Sequence, residues 1–282
     1  MKGANTMNEE KIAMLKERAK QLRKTAVTMI YEAQSGHPGG SLSAADMVAA
    51  LYFSEMRIDP KNPGWEDRDR FVLSKGHVCP ILYSALGLLG YFPESVLHTL
   101  RQEGSMLQGH PSMVKCPGID ISTGSLGQGA ACAVGMALAG KRDGKDYRVF
   151  TMVGDGEINE GIVWEAMMCA NKYKLDNYVM LFDNNGLQLD GTTEDIMPGL
   201  DMSKKAADFG FDVYDIDGHD MAQILDAFDK IRAAKSGRPK FINARTVKGK
   251  GVDYMENSLD WHGKAPNKAQ YESAMEQLER GI

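Results

Sequence analysis

RVFTMVGDGEINEGIVWEAMMCANKYKLDNYVMLFDNN, residues 148 to 185, decides the fold. Two apolar runs, Arg148 to Val153 and Tyr178 to Phe182, have the length of buried strands, and the segment near Ile162 to Tyr173 has the length and apolar spacing of a helix. Strand, helix, strand is the unit of a parallel sheet covered on both faces. The first run ends in Gly154, Asp155 and Gly156, and the second leads to Asn184 and Asn185. Each short motif alone is a common turn. Between Gly156 and Asn184 lie 27 residues (157 to 183), the length that a helix and a strand with connections require. The two motifs are therefore expected side by side at the carboxyl end of one sheet, where ligands of such folds collect.

The rest of the chain extends this pattern. From Ile12 the apolar positions Leu15, Ala19, Leu22, Ala26, Met29 and Ile30 form the stripe of an amphipathic helix, which should stop at QSGHPGG, residues 34 to 40. Ser43 to Phe53 reads as a second helix, Phe71 to Leu73 as a short apolar run, and Ala130 to Ala139 as a tightly packed small-residue helix. Strand-like FGFDVYDIDG, helical DMAQILDAFDKIRAAK, strand-like PKFINARTV and a terminal helix in KAQYESAMEQLERGI follow. No repeat or linker divides residues 1 to 282. The expected architecture is one three-layer α/β domain, a mostly parallel sheet with helices on both faces.

A net charge of −5 with scattered Lys and Arg gives no nucleic-acid footprint. No run of about 18 apolar residues is present to span a bilayer, and the first residues lack a signal-peptide core. Four cysteines without paired spacing read as free, mostly buried thiols of a cytoplasmic protein.

The chemistry follows from donor types. Asp155 offers a hard anionic oxygen and Asn185 a neutral carbonyl oxygen. Mg²⁺ takes few such protein ligands and fills its shell with phosphate oxygens and water. Gly154 and Gly156 let backbone approach a ligand closely, and the start of the following helix would direct amide N–H groups at a phosphate. The stretch thus suits a metal diphosphate. The histidines have neither the spacing of a zinc finger nor a pair at i, i+4, so zinc is not expected.

Gly-Asp-Gly followed by Asn-Asn at this distance resembles the signature of thiamine diphosphate enzymes. SGHPGGSLSAADMVAALYF, DRFVLSKGHVCPILYSALG, QGHPSM, STGSLGQGAACAVGMALAGK, DGHDMAQILDAF and WHGKAP, spread in order over nearly the whole chain, narrow the resemblance to the transketolase family. That resemblance implies that Asp155, Asn185 and the backbone carbonyl of Leu187 ligate Mg²⁺, or Ca²⁺ or Mn²⁺ in its place. It implies that Leu189 packs near the thiazolium ring, and that Gly154 and Gly156 flank the diphosphate. His77 and His262 would contact the diphosphate and line the reaction pocket, Gly124, Ser125 and Leu126 would pass backbone along the cofactor, and His37 and His110 would bond the ketose hydroxyls. Imidazoles suit such a pocket because each can donate, accept or shuttle a proton near neutral pH.

His98 lies outside every motif and reads as surface, whereas His219 reads as a brace or cap for the helix after it. Glu160 is either a helix-start acid or, by the resemblance, part of a carboxylate network between cofactor sites. Ser125 replaces a common proline, and Val78 and Cys79 replace a glycine and serine pair, so the donor sugar is left open.

By the same resemblance, the glutamate that holds the cofactor's aminopyrimidine belongs to a separate pyrimidine-binding domain. The chain is thus expected to be the N-terminal subunit of a split transketolase. It would move a two-carbon ketol unit from a ketose, phosphorylated or otherwise anionic, to an aldose through the cofactor's carbanion. A partner chain would carry the pyrimidine-binding and C-terminal domains in a two-plus-two heterotetramer. Rivals are the α subunit of a 2-oxo-acid dehydrogenase component, which should lack the paired SGHPGG and SKGH motifs, a deoxyxylulose-phosphate synthase fragment, which fits SGHPGG and QGHPSM less well, and a non-catalytic cofactor-binding module, which would not need His37 or His110.

Overall fold

A computed structural model describes residues 2–198 and 201–281, with side chains from residue 8 onward. Five parallel strands form one sheet in the order β1-β2-β3-β5-β4: β1 Arg70–Leu73, β2 Val149–Gly154, β3 Tyr178–Asn184, β4 Asp212–Asp217 and β5 Lys240–Arg245. The helices, in chain order, are α1 Lys2–Ala33, α2 Pro38–Ser43, α3 Ala45–Ala50, α4 Cys79–Leu89, α5 Gln128–Arg142, α6 Gly161–Lys172, α7 Thr193–Ile196, α8 Met202–Asp208, α9 Met221–Ala233 and α10 Lys268–Arg280.

Strand periodicity sorts side chains into two cores. Phe71, Leu73, Phe150, Met152, Val179, Leu181 and Ile242 face one side with residues of α1, α3, α4 and α9. Val72, Val149, Val153, Met180, Phe182 and Phe241 face the other with α5, α6 and α8. The central strands β2 and β3 are buried on both faces and read as nearly unbroken apolar runs, whereas edge strand β4 is mostly part-exposed. Right-handed crossovers account for the division. Stepping outward from β2 to β3 and on to β4 lays α6 and α8 on one face, and stepping back from β4 to β5 lays α9 on the other.

A third, smaller core of Val27, Leu42, Val252, Met255, Trp261, Ala274 and Leu278 fastens α10 and the segment after β5 onto α1. It is this cluster that carries His262 back over the sheet.

Three boundaries differ from the sequence reading. α1 starts ten residues before Ile12, where exposed Asn8, Glu9 and Glu10 leave no apolar stripe to announce it. Pro38 starts α2 and does not stop α1, which already ends at Ala33 with Gln34 at φ +46, because the fixed φ and missing N–H of proline suit a first helical turn. The stretch from Ser43 to Phe53 is not one helix: α2 ends at Ser43, α3 follows, and Leu51–Glu55 widens into a π-helical turn.

Gly129, in the first turn of α5, lies against the end of β1. A Cβ there would stand 2.6 Å from Ser74 Oγ and 2.7 Å from Ser74 Cα. Ser74 Oγ accepts the Ala130 amide at 3.0 Å and donates to Glu157, so it cannot swing aside without loss. Gly129→Ala is expected to destabilise the fold by about 1–3 kcal/mol. A denaturant midpoint equal to wild type would show that this contact can relax.

Candidate functional site

The carboxyl ends of β1, β2, β3 and β5 open into a cavity of about 350 Å³. His37, Lys75, His77, Gly124, Leu126, Gly154, Asp155, Gly156, Glu157, Asn185, Leu187, Gln188, Leu189, Lys248 and His262 line it, with Gly40. Of the residues expected to bind cofactor, metal or sugar, Ser125 and His110 are not on its wall. Both are exposed. His110 lies at the neighbouring rim with its ring against Gly124, where an added Cβ would come within 2.9 Å of it.

Asp155 follows β2 and is 3% exposed. Its carboxylate accepts the amides of Asn185 at 2.9 Å and Gly186 at 3.1 Å, which joins the β2 and β3 ends. Burial, and then the nearby Asp183 carboxylate, push its pKa up to about 7. Asn185 Oδ1 accepts the Leu187 amide at 3.2 Å. Among the described residues no group of three or more His, Cys, Asp or Glu side chains converges on a metal-sized gap. A cation here would rest on one carboxylate and neutral oxygens, which is the sparse donor set that Mg²⁺ on a diphosphate accepts. A divalent cation would also offset the cost of ionising Asp155 in this buried place.

The amide arrangement differs from the expectation. A 3₁₀ turn, Glu157–Asn159, separates Gly156 from α6, and exposed Glu160 sits at that helix's N-cap without a side-chain capping bond. The Glu157 carboxylate instead turns inward and accepts Ser74 Oγ at 2.5 Å, the Gly127 amide at 2.9 Å and the Gly154 amide at 3.3 Å. The first backbone amides after Gly156 thus belong to this 3₁₀ turn and not to α6.

His37, His77 and His262 form a triangle with ring centroids 5.0, 5.3 and 5.5 Å apart. Burial first, then the charge of Arg101 for His37 and of Lys248 for His262, holds these two down to about 4, and burial above all holds His77 well below its usual value. Burial followed by Arg101 lowers His110 as well. The pocket thus presents neutral imidazoles near pH 7. His37 Nδ1 and Gln188 Nε2 are buried without a hydrogen-bond partner. Buried polar atoms are rarely left unpaired, and both lie on the cavity wall.

Sequence reasoning missed the two lysines. Lys75, buried at the β1 end, pairs with Asp183 at the β3 end, and Asp183 also accepts Ser43 Oγ at 2.6 Å and Thr246 Oγ1. Burial alone would raise the Asp183 pKa, but the Lys75 charge and these bonds outweigh it and hold it below the usual range. Lys248 Nζ lies 3.1 Å from His262 Nδ1, and burial, then Lys75, lower its pKa to about 8. Cationic nitrogens and neutral imidazoles opposite Asp155 suit an anionic ligand carrying a metal ion.

His219 braces the sheet end: Nδ1 meets Asp46 at 2.8 Å and Nε2 accepts the Val247 amide at 2.8 Å, while Asp220 caps α9. His98 is a surface residue bonded to Glu32 at 2.7 Å. The cysteines are free, but only Cys79 and Cys116 are buried, and Cys132 is exposed. Among the described residues no helix is long and apolar enough to cross a membrane.

Residues 14–279 match the family model described as the thiamine diphosphate binding domain of transketolase. The chain is 44% identical over 274 residues to the 6-deoxy-6-sulfo-D-fructose transketolase subunit SqwG of Clostridium sp. (strain MSTE9), covering 97% of this chain and 99% of that one. It is 43% identical over 260 residues to an apulose-4-phosphate transketolase subunit of Phocaeicola vulgatus, covering 92% of each. The crystal structure of transketolase from Campylobacter jejuni superposes with a TM-score of 0.90 at 36% identity, over 95% of this chain and 43% of that one.

Proposed function

Since the chain belongs to the transketolase family, as its thiamine diphosphate-binding subunit, we propose that it holds the cofactor's metal diphosphate and the reacting end of a ketose, and that a second polypeptide completes the site. One observation carries this reading: a single cavity joins Asp155, Asn185 and Leu187 to three neutral imidazoles, with His37 Nδ1 left without a partner. Thiamine diphosphate, when bound, supplies the two-carbon transfer chemistry.

The chain's own residues bind and orient. Asp155, Asn185 Oδ1 and the Leu187 carbonyl would hold Mg²⁺, with Ca²⁺ or Mn²⁺ as substitutes. Gly154 and Gly156 would flank the diphosphate, and His77, His262 and Lys248 would meet its oxygens. Gly124, Ser125 and Leu126 would run along the cofactor, and Leu189 would pack on its ring. His37 and His110 would bond the ketose hydroxyls, each able to give or take a hydrogen bond in its neutral form.

The partner is a chain carrying the pyrimidine-binding and C-terminal domains, in a two-plus-two assembly of cytoplasmic protein. Support comes from the names of the relatives, which call them subunits, and from exposed apolar side chains: Leu189 on the cavity wall at 60%, and Met113 at 49% and Val114 at 89% in the segment after His110. Residues 1–282 act as one domain of it. Both relatives are named for anionic ketoses, which favours a phosphorylated or sulfonated donor, with an aldose as acceptor.

The test is ketol transfer by the assembled two-chain enzyme across several anionic ketoses, in wild type and His110→Ala. We expect His110→Ala to reduce kcat/KM by about 10²-fold or more, the loss typical of a positioned polar group at the reacting centre, with cofactor affinity within about twofold of wild type. Wild-type rates with every ketose would remove His110 from the sugar site.

A further inference from the structure

Two motif residues of the histidine loops, Ser35 and Gly109, are not on the cavity wall. Both touch Arg101. Its Nη1 donates to Ser35 Oγ at 2.8 Å, and its Nη2 donates to the Gly109 carbonyl at 3.3 Å. Ser35 stands two residues before His37, and Gly109 one before His110. The guanidinium lies so close against Gly109 that an added Cβ would be 3.0 Å from Cζ.

Arg101 forms no ion pair among the described residues, so the guanidinium is not committed to a carboxylate. Its backbone is left-handed at φ +60, a conformation that costs a non-glycine residue energy and persists where the surroundings impose it. The Arg101 amide donates to the Leu107 carbonyl at 2.9 Å, which closes the intervening loop and aims the side chain back at both histidine segments. The Tyr83 hydroxyl lies within hydrogen-bonding distance of the carbonyl oxygens of Gln108 at 3.0 Å and His110 at 3.1 Å, so its one proton serves either, and Cys79 Sγ donates to the Gly109 carbonyl at 3.3 Å.

From this geometry we propose that Arg101 is a positioning residue, a clasp that sets His37 and His110 at a common spacing for the donor ketose without touching the cofactor. The inference rests on the transketolase reading above. A planar fork with fixed donors can bridge two carbonyl or hydroxyl oxygens that one flexible ammonium cannot hold together. The Arg101 charge also contributes, after burial, to keeping both imidazoles neutral.

The experiment uses the assembled two-chain enzyme with Arg101→Ala, Arg101→Lys, His110→Ala and the Arg101→Ala/His110→Ala double variant. Donor KM and kcat are measured alongside thiamine diphosphate affinity by calorimetry in the absence of sugar. We expect Arg101→Ala to raise donor KM at least about tenfold, with cofactor affinity within about twofold, and Arg101→Lys to recover only part of the loss. In the His110→Ala background, Arg101→Ala should add little, because residues acting through one another are not additive. Unchanged KM in Arg101→Ala, full additivity with His110→Ala, or parallel loss of cofactor affinity would each overturn the clasp. Failure of wild type to turn over any ketose would instead count against the transketolase reading.

Discussion

Asp155→Ala is expected to lower Mg²⁺-dependent thiamine diphosphate affinity by at least about a hundredfold, or about 2.8 kcal/mol, in the two-chain assembly. The reason is the sparseness of the donor set. Asn185 and Leu187 offer only neutral oxygens, and Glu157, the other acid on the wall, is committed to Ser74, Gly127 and Gly154. Removing Asp155 leaves a divalent ion with no anionic protein ligand. It also frees the Asn185 and Gly186 amides, so the loop after β3 loses its tie to β2. Asp155→Asn separates the two effects, since it keeps the shape and one acceptor but not the charge. Calorimetric titration at several Mg²⁺ concentrations, with circular dichroism to confirm folding, reads both variants. An unchanged Mg²⁺ dependence would mean that the metal lies elsewhere.

Lys75→Met is expected to act on the fold itself, at a cost of about 3–5 kcal/mol. Lys75 and Asp183 have side chains 3% and 0% exposed, and the substitution leaves a carboxylate buried without its cation. Attraction between buried charges barely offsets their desolvation, so it is the broken pair, more than the lost attraction, that sets this magnitude. Lys75→Met/Asp183→Leu should therefore recover part of the stability. Recovery stays partial because Thr246 Oγ1 loses its acceptor and Ser43 Oγ keeps only the Gly40 carbonyl at 3.1 Å. Urea midpoints decide, and a single variant as stable as wild type would show that water reaches Asp183.

The residues behind these two effects differ in how legible they were. Asp155 and Asn185 stood out because each ends an apolar run and one helix lies between them, so a parallel β-α-β unit had to place them together. Lys75 and Asp183 meet only because β1 and β3 flank β2, an order that local periodicity does not encode. Lys248 had no distinguishing signal: a lysine among scattered lysines reads as solvated, and only the small core under Trp261 brings His262 onto it. Glu157 lay inside the decisive stretch, yet nothing in spacing says that its carboxylate turns back toward Gly127 instead of outward. The break near Ser43 was hidden for another reason. The apolar stripe continues through α2, α3 and the π-helical turn, so burial stays constant while hydrogen bonding changes. His37, His77 and His110 were each unremarkable alone, and the family's motifs gave them weight.

If this chain forms one part of a cofactor site completed by a second polypeptide, the two must travel together. The most direct measurement is to pull the tagged chain from its native lysate with Mg²⁺ and thiamine diphosphate present, and to identify and quantify what co-purifies by mass spectrometry. The expected result is a stoichiometric partner carrying the pyrimidine-binding domain, and ketol transfer by the eluted complex. Recovery of the chain with itself alone, under conditions where it binds the cofactor, would contradict a site shared between two polypeptides.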